Sequence, residues 1–259
     1  MKNLMLLVLL LCAAVVVNAE TPEEMGLEIA VEADKRDNGF ADSTSKMTMT
    51  LKNANGDVSI RKMRSKALEV EGDGDKGLTI FDQPADIKGT AFLSFTHVLD
   101  ADDQWLYLPA LKRVKRISSK NKSGPFMGSE FAFEDLSSRE VEKYTYHYVK
   151  DEAVNGEDAF VIEARPNYKY SGYTRSVVWI SKEKYQPLKI VYYDRKNSLL
   201  KTMVLSGYQQ YLGQYWRADM MVMTNHQTRK ETQLDFADYQ FKTGLSDRDF
   251  NKSSLKRAR

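Results

Sequence analysis

The chain has 259 residues, with 38 Lys and Arg against 36 Asp and Glu, and one cysteine. A net charge of +2 is too small to neutralise a run of phosphates, so the overall balance argues against a nucleic-acid binder. A lone thiol excludes an internal disulfide and a multi-cysteine metal site, so the fold must rest on its core.

Lys2 precedes a nearly unbroken apolar run, residues 4–17, which is short for a bilayer span. Val17-Asn18-Ala19 then offers small residues for cleavage before Glu20. The pattern predicts a secretory signal peptide, residues 1–19, cleaved after Ala19. A lipoprotein signal ending at Cys12 is the rival reading, but Leu11 stands where a small residue is wanted and the apolar run continues past the cysteine. Cleavage removes Lys2 and Cys12, leaving 37 bases against 36 acids and no thiol. Residues 20–259 read as one domain: no linker, repeat or second long apolar run interrupts them.

A helix is predicted over residues 21–38. Thr21 suits its cap, Pro22 its first turn, and Glu23 and Glu24 the positive end of its dipole. Met25, Ile29 and Ala33 follow at four-residue spacing, and Asn38-Gly39 stops the pattern. Such a helix should cover an opening or a face of a sheet.

Almost everything after Phe40 reads as strand. "SKMTMTLK" and "VSIRKMRSKALEVE" alternate on either side of Asn55-Gly56, a hairpin signal. "LTIFD", "TAFLSFTHV", "QWLYL", "EKYTYHYVK", "DAFVIEARP", "YTRSVVWIS", "PLKIVYYD", "LLKTMVLSGYQQY", "YWRADMMVMTNHQ" and "ETQLDFADYQF" follow at meander spacing. About a dozen antiparallel strands are expected. The segment "NKSGPFMGSEFAFEDLSS", residues 121–138, breaks the alternation and predicts a long loop with a short helix near 130–136. Runs such as "VVWI", "IVYY" and "MMVM" are apolar on both faces, so both faces should be covered, as in a closed or half-closed barrel with a lined interior.

No catalytic or metal constellation emerges. His97, His147 and His226 each lie in a predicted strand without a second ligand at short spacing. No nucleophile elbow, paired-histidine zinc motif or P-loop is present. Glu71, Asp73, Asp75 and Asp82 match positions of a calcium loop, but Lys76 occupies its glycine position and strands flank it, so a Gly-rich turn is the better reading. Asn121 and Asn251 head glycosylation triplets that matter only in a eukaryotic secretory path. No cofactor is implied.

In "QWLYLPALKRVKRIS", residues 104–118, Trp105 and Tyr107 should point to one side of a strand and Leu106 and Leu108 to the other. Pro109 ends the pairing, and "ALKRV" turns into a second short strand. Lys112, Arg113, Lys115, Arg116, Lys120 and Lys122 then form a single-sign field. It suits either a solvated hairpin edge, where lysines block edge-to-edge association, or a docking patch for a phosphate-bearing lipid or an acidic partner.

"DIKGTAFLSF", "DQWLYLPALKRVKRIS" and "GPFMGSEFAFEDL", in that order after an export signal, resemble the bacterial outer-membrane lipoprotein-sorting family, in its branch linked with RND-type inner-membrane exporters. The resemblance implies a LolA/LolB-like fold: mainly β, an open antiparallel half-barrel with helices or a loop as lid. It also implies a periplasmic carrier of a lipid or lipidated protein, a monomer that works with such an exporter and is no enzyme. On that reading Trp105, Tyr107, Leu108, Pro109, Phe126, Phe131 and Phe133 line or gate an acyl slot. Lys112, Arg113 and Arg116 meet a headgroup or membrane partner. The helix over 21–38 and the loop over 123–138 form the movable cover. A periplasmic adaptor that binds no lipid is the alternative.

Overall fold

The computed structural model describes residues 19–256; the predicted signal peptide, apart from Ala19, lies outside them. Helix α1 spans Pro22–Asp37. Thr21 Oγ1 accepts from the Glu24 amide at 3.2 Å, and the Glu24 carboxylate accepts back from the Thr21 amide at 2.8 Å. This reciprocal cap satisfies two amides that a helix start leaves without partners. α1 buries Gly26, Ile29 and Ala30 and packs mainly on strand β7. A Cβ at Gly26 would lie 2.8 Å from the Tyr148 amide nitrogen, so glycine sets how closely the helix approaches the sheet.

Thirteen strands follow. They are β1 (Asp42–Lys52), β2 (Val58–Leu68), β3 (Lys76–Gln83), β4 (Ala91–Phe95), β5 (Asp103–Leu108) and β6 (Arg113–Ile117), then β7 (Tyr144–Asp151), β8 (Ala159–Pro166), β9 (Tyr173–Ser181), β10 (Pro187–Asp194), β11 (Leu199–Tyr211), β12 (Tyr215–Asn225) and β13 (Lys230–Phe241). A short helix α2, Lys252–Leu255, ends the described chain. All strands join one antiparallel sheet in the order β6-β5-β4-β3-β2-β1-β13-β12-β11-β10-β9-β8-β7. Two meanders are therefore stitched at their middle by β1 and β13, with Met47 opposite Phe236 and Leu51 opposite Thr232. The Asp42 carboxylate closes this seam by accepting from the Thr243 and Gly244 amides at 2.7 and 3.1 Å. Strands β6 and β7 are the two edges and do not pair, so the sheet stays open.

The sheet must nevertheless curl. Seven spacings separate β4 from β10, roughly 34 Å on a flat sheet. Yet Phe92 of β4 and Ile190 of β10 line one cavity. Met47, Met49, Met63, Phe81, Phe92, Ile162, Val178, Ile190, Met203 and Leu234 form the core on this inner face, with Ile29 and Ala30 of α1.

The two-sided apolar runs "VVWI" and "IVYY" are explained on the outer face, whereas Met220 and Val222 of "MMVM" join neither outer cluster. Leu78, Ile80, Ala91, Leu93 and Trp105 are covered by Phe250 and Leu255 of the C-terminal segment, and Ala159, Val161, Trp179, Leu188 and Val191 form a second outer cluster. In "VVWI", Val178 and Ile180 face inward while Trp179 faces out.

The segment between the two edge strands enters the concave face as a plug. Phe126 and Phe131 are each 2% exposed and Phe133 is 8% exposed. Phe126 meets Phe92 with ring centroids 5.2 Å apart, Phe133 at 5.6 Å and Phe81 at 5.9 Å. The expected short helix is one helical turn, Phe133–Leu136. Gln104 Nε2 donates to Phe133 O and Ser137 Oγ, both at 3.0 Å, tying the plug to β5. On the other side the Glu130 amide donates to Thr232 Oγ1 at 3.0 Å and Lys201 Nζ donates to Glu130 O at 2.9 Å.

Candidate ligand cavity

Between the sheet, α1 and the plug lie two compartments of about 480 and 980 Å³. Both fall in the range of roughly 300–1,000 Å³ common for ligand cavities. They share Asp75, Ser138, Arg139, Pro187 and Ile190, and so meet at a common wall. The smaller is walled by Met47, Phe92, Phe131, Met203, Leu205 and Leu234, a methionine-rich surface that adapts its shape to an occupant. The larger opens beside the C-terminal end of α1 and carries carboxylates: Asp34, Glu69, Asp75, Glu140 and Glu142.

Charge in this hollow is unevenly matched. Burial pushes the Asp75 carboxyl up to about 7, helped by repulsion from Glu140, Glu69 and Asp37. Burial also raises Glu140 and Asp34, with neighbouring acids adding to it. Asp73, nearby, is held at about 2 by its hydrogen bond to His97, 2.7 Å away. Among the smaller compartment's polar residues, Asp135 pairs with Lys201 at 2.6 Å, with both side chains almost fully enclosed (3 and 4% exposed). The Tyr173 hydroxyl donates to Asp135 at 2.7 Å. Glu134 accepts from the Gly172 amide at 3.1 Å and from Ser171 Oγ at 3.0 Å, while burial raises its carboxyl. Arg139, on the shared wall, donates to Ser176 Oγ at 2.8 Å and lies 4.3 Å from the Tyr144 ring centroid.

Asp75 carries a pH prediction. Unfolded, its carboxyl titrates near 3.8; folded, near 7. Between those values the folded state holds the extra proton, so this group's contribution to stability falls as pH rises from about 4 to about 7 and is level above. Asp75→Asn should therefore stabilise the protein by roughly 2 kcal/mol at pH 8, allowing for water in the open mouth, and by little at pH 4. Urea titrations of both proteins at the two pH values test it. A constant gap between them would contradict the assignment.

The sequence-selected residues separate into groups. Phe126, Phe131 and Phe133 lie in the inner core and Leu108 packs against it, with Phe131 on the cavity wall. Trp105 and Tyr107 are on the outer face instead, because the C-terminal segment folds back there and supplies their apolar cover; Lys252 Nζ sits 4.4 Å from the Trp105 ring centroid. This corrects the expectation that they line the slot. Pro109 opens the helical turn Pro109–Leu111 at the end of β5, outside both compartments. Lys112, in the turn before β6, and Arg113 and Arg116 on that edge strand are exposed, with Arg116 paired to Asp103. Lys122, from the same basic run, is turned inward over the Tyr168 ring at 3.6 Å. Sequence reading missed Arg139, Lys201 and Asp135, and met Asp75 only as a calcium-loop candidate. Its signal was an acid beside glycines, which fits an ordinary turn as well.

A family model whose description reads "Uncharacterized protein" matches residues 73–257. No curated protein matches the sequence. Among solved structures, an outer membrane lipoprotein-sorting protein domain, so described, from Vibrio parahaemolyticus is 63% identical over 91% of this chain and 100% of its own, with a TM-score of 0.89. A DUF1329 family protein from Desulfovibrio piger is 31% identical over 91% of this chain and 99% of its own, with a TM-score of 0.87. A LolA superfamily protein from Nitrosomonas europaea shares the fold, with a TM-score of 0.71 at 19% identity over 88% of this chain and 98% of its own. With near-complete coverage at 63% identity and an open curled sheet of LolA type, this chain belongs to the outer-membrane lipoprotein-sorting protein family.

Proposed function

We propose that the protein is a periplasmic carrier that holds a lipid, or the acyl chains of a lipidated protein, in the hollow between sheet and plug and moves it between membranes. The observation that carries this reading is the pair of adjoining compartments, one walled by methionine and aromatic side chains. The family and its LolA-like fold support it. The physical need is large: at about 0.8 kcal/mol per methylene, a chain of about sixteen carbons costs roughly 12 kcal/mol to expose to water. A dry slot removes most of that cost without covalent chemistry, and no catalytic residue is assigned.

On this reading Phe131 walls the acyl compartment, and Phe126, Phe133 and Leu108 hold the plug behind it. Lys112, Arg113 and Arg116 on the exposed edge form the docking patch for an anionic membrane surface or for an inner-membrane exporter of the RND type. The carrier works as a monomer.

Native mass spectrometry of protein purified from its own compartment tests the proposal. The expected result is a bound amphiphile, or binding of a fluorescent acyl probe at micromolar concentration. A uniformly ligand-free mass with no probe binding would overturn it. Reversing the charges at Lys112, Arg113 and Arg116 should leave probe binding intact and impair transfer to membranes.

A further inference from the structure

The hollow contains a buried cation, Arg139, on the wall its two compartments share. We propose that the carried molecule is an amphiphile with an anionic head, an oxyanion on an aliphatic chain, and that Arg139 fixes that head at the junction of the two compartments. This inference rests on the carrier reading above.

Arg139 lines both compartments, with the Met47, Phe92, Met203 and Leu234 wall on one side and the open acidic mouth on the other. A ligand with its tail among those apolar side chains would bring its head to this junction. The contacts that hold the guanidinium are neutral: Ser176 Oγ at 2.8 Å and the face of Tyr144, with the ring centroid 4.3 Å away. Burial pushes the Tyr146 hydroxyl up to about 12 and Tyr192 well above the ordinary tyrosine value, so these rings stay uncharged at physiological pH. Among the described residues no carboxylate forms an ion pair with Arg139.

Most of the charges around the smaller compartment have other partners; Asp75, on the shared wall, forms no ion pair among the described residues. Asp135 is bound by Lys201, and Asp102 by Lys143. Glu134 is taken by Gly172 and Ser171. Lys66 and Lys76, the other bases on the wall, pair with Asp249 and Asp247. A guanidinium presents five donors in a planar fork suited to two oxygens of a carboxylate or phosphate. The side chain is seated and oriented, with charge left over for an oxyanion. Asp75, on the wall it shares with Arg139, and Glu140 and Asp34 in the larger compartment make the surroundings acidic, so no general positive field draws anions in. Arg139 is the base that lines both compartments, so a preference for an anionic head at their junction is assigned to it.

The test compares hexadecanoate, hexadecyl phosphate and hexadecanol, with inorganic phosphate as a fourth arm, at pH 8. Binding is read by displacement of the neutral dye N-phenylnaphthylamine from the full mature chain, and melting temperatures check each variant's fold. Wild type should prefer both anions over the alcohol by about tenfold or more, as charge-assisted hydrogen bonds would provide. Arg139→Gln should remove that preference, read as the ratio of anion to alcohol affinity within the same variant, while Arg139→Lys restores part of it. Inorganic phosphate at millimolar concentration should not displace hexadecyl phosphate. If it does, the site is one for free anions and the headgroup assignment fails. Equal wild-type affinity for alcohol and anions also overturns the assignment but leaves the carrier standing. Failure of all three amphiphiles to bind overturns the carrier reading itself.

Discussion

Replacing Lys201 with methionine is expected to destabilise the protein by about 3–5 kcal/mol. Lys201 and Asp135 form an ion pair with both side chains almost out of solvent. Removing the ammonium leaves a buried carboxylate facing only the Tyr173 hydroxyl and the Ala132 amide. Lys201 Nζ also holds the carbonyl of Glu130, so the same change releases the plug from β11. Denaturant midpoints give the size of the loss, and limited proteolysis within 118–143 shows where the structure loosens. Adding Asp135→Asn to the lysine variant should recover much of the stability, since the orphaned charge disappears while an acceptor remains for the Ala132 amide. A single variant within about 1 kcal/mol of wild type would mean that water reaches the pair.

Phe126→Ala is expected to cost a similar amount, about 3–5 kcal/mol. The ring is 2% exposed and packed against Phe81, Phe92 and Phe133. Arg61 donates to the neighbouring Met127 carbonyl, which limits how far the backbone can move to fill the gap. For a domain of this size each kcal/mol lowers the melting temperature by roughly 3 °C, so a drop of about 10 °C is expected. The result separates two pictures of this segment. A mobile cover would lose little from the truncation; a packed plug loses a core side chain.

The strands were legible because their alternation and turns are local. Asn55-Gly56 marks the β1–β2 hairpin, and "VVWI" and "IVYY" announced two covered faces. What covered them was not local. Whether Trp105 meets a ligand or Phe250 depends on where a segment some 145 residues later in the chain folds back, and period-two alternation assigns a face without naming its neighbour. The helix cap at Thr21 and Glu24 was readable, but the buried face of α1 centres on Gly26 and Ala30 because β7 approaches the glycine. The loop over 121–138 stood out by composition alone. Its Phe-rich sequence is compatible with a lid or a plug, and the bonds from Gln104, Thr232 and Lys201 that decide between them come from three distant strands. Arg139 had no sequence signal at all, since a basic residue between Ser138 and Glu140 reads as solvent-facing until tyrosines from other strands enclose it.

The β1–β13 seam has a consequence for how the molecule is born. Hairpins on either side need only neighbouring residues and can form early, but the seam joins residues nearly two hundred positions apart, a closure that comes at a high entropic cost. A growing or translocating polypeptide therefore has no container until its last strand arrives. On the carrier reading proposed above, greasy cargo met before that moment would find two loose ribbons and no room between them, so loading would fall to the finished protein and not to the nascent one.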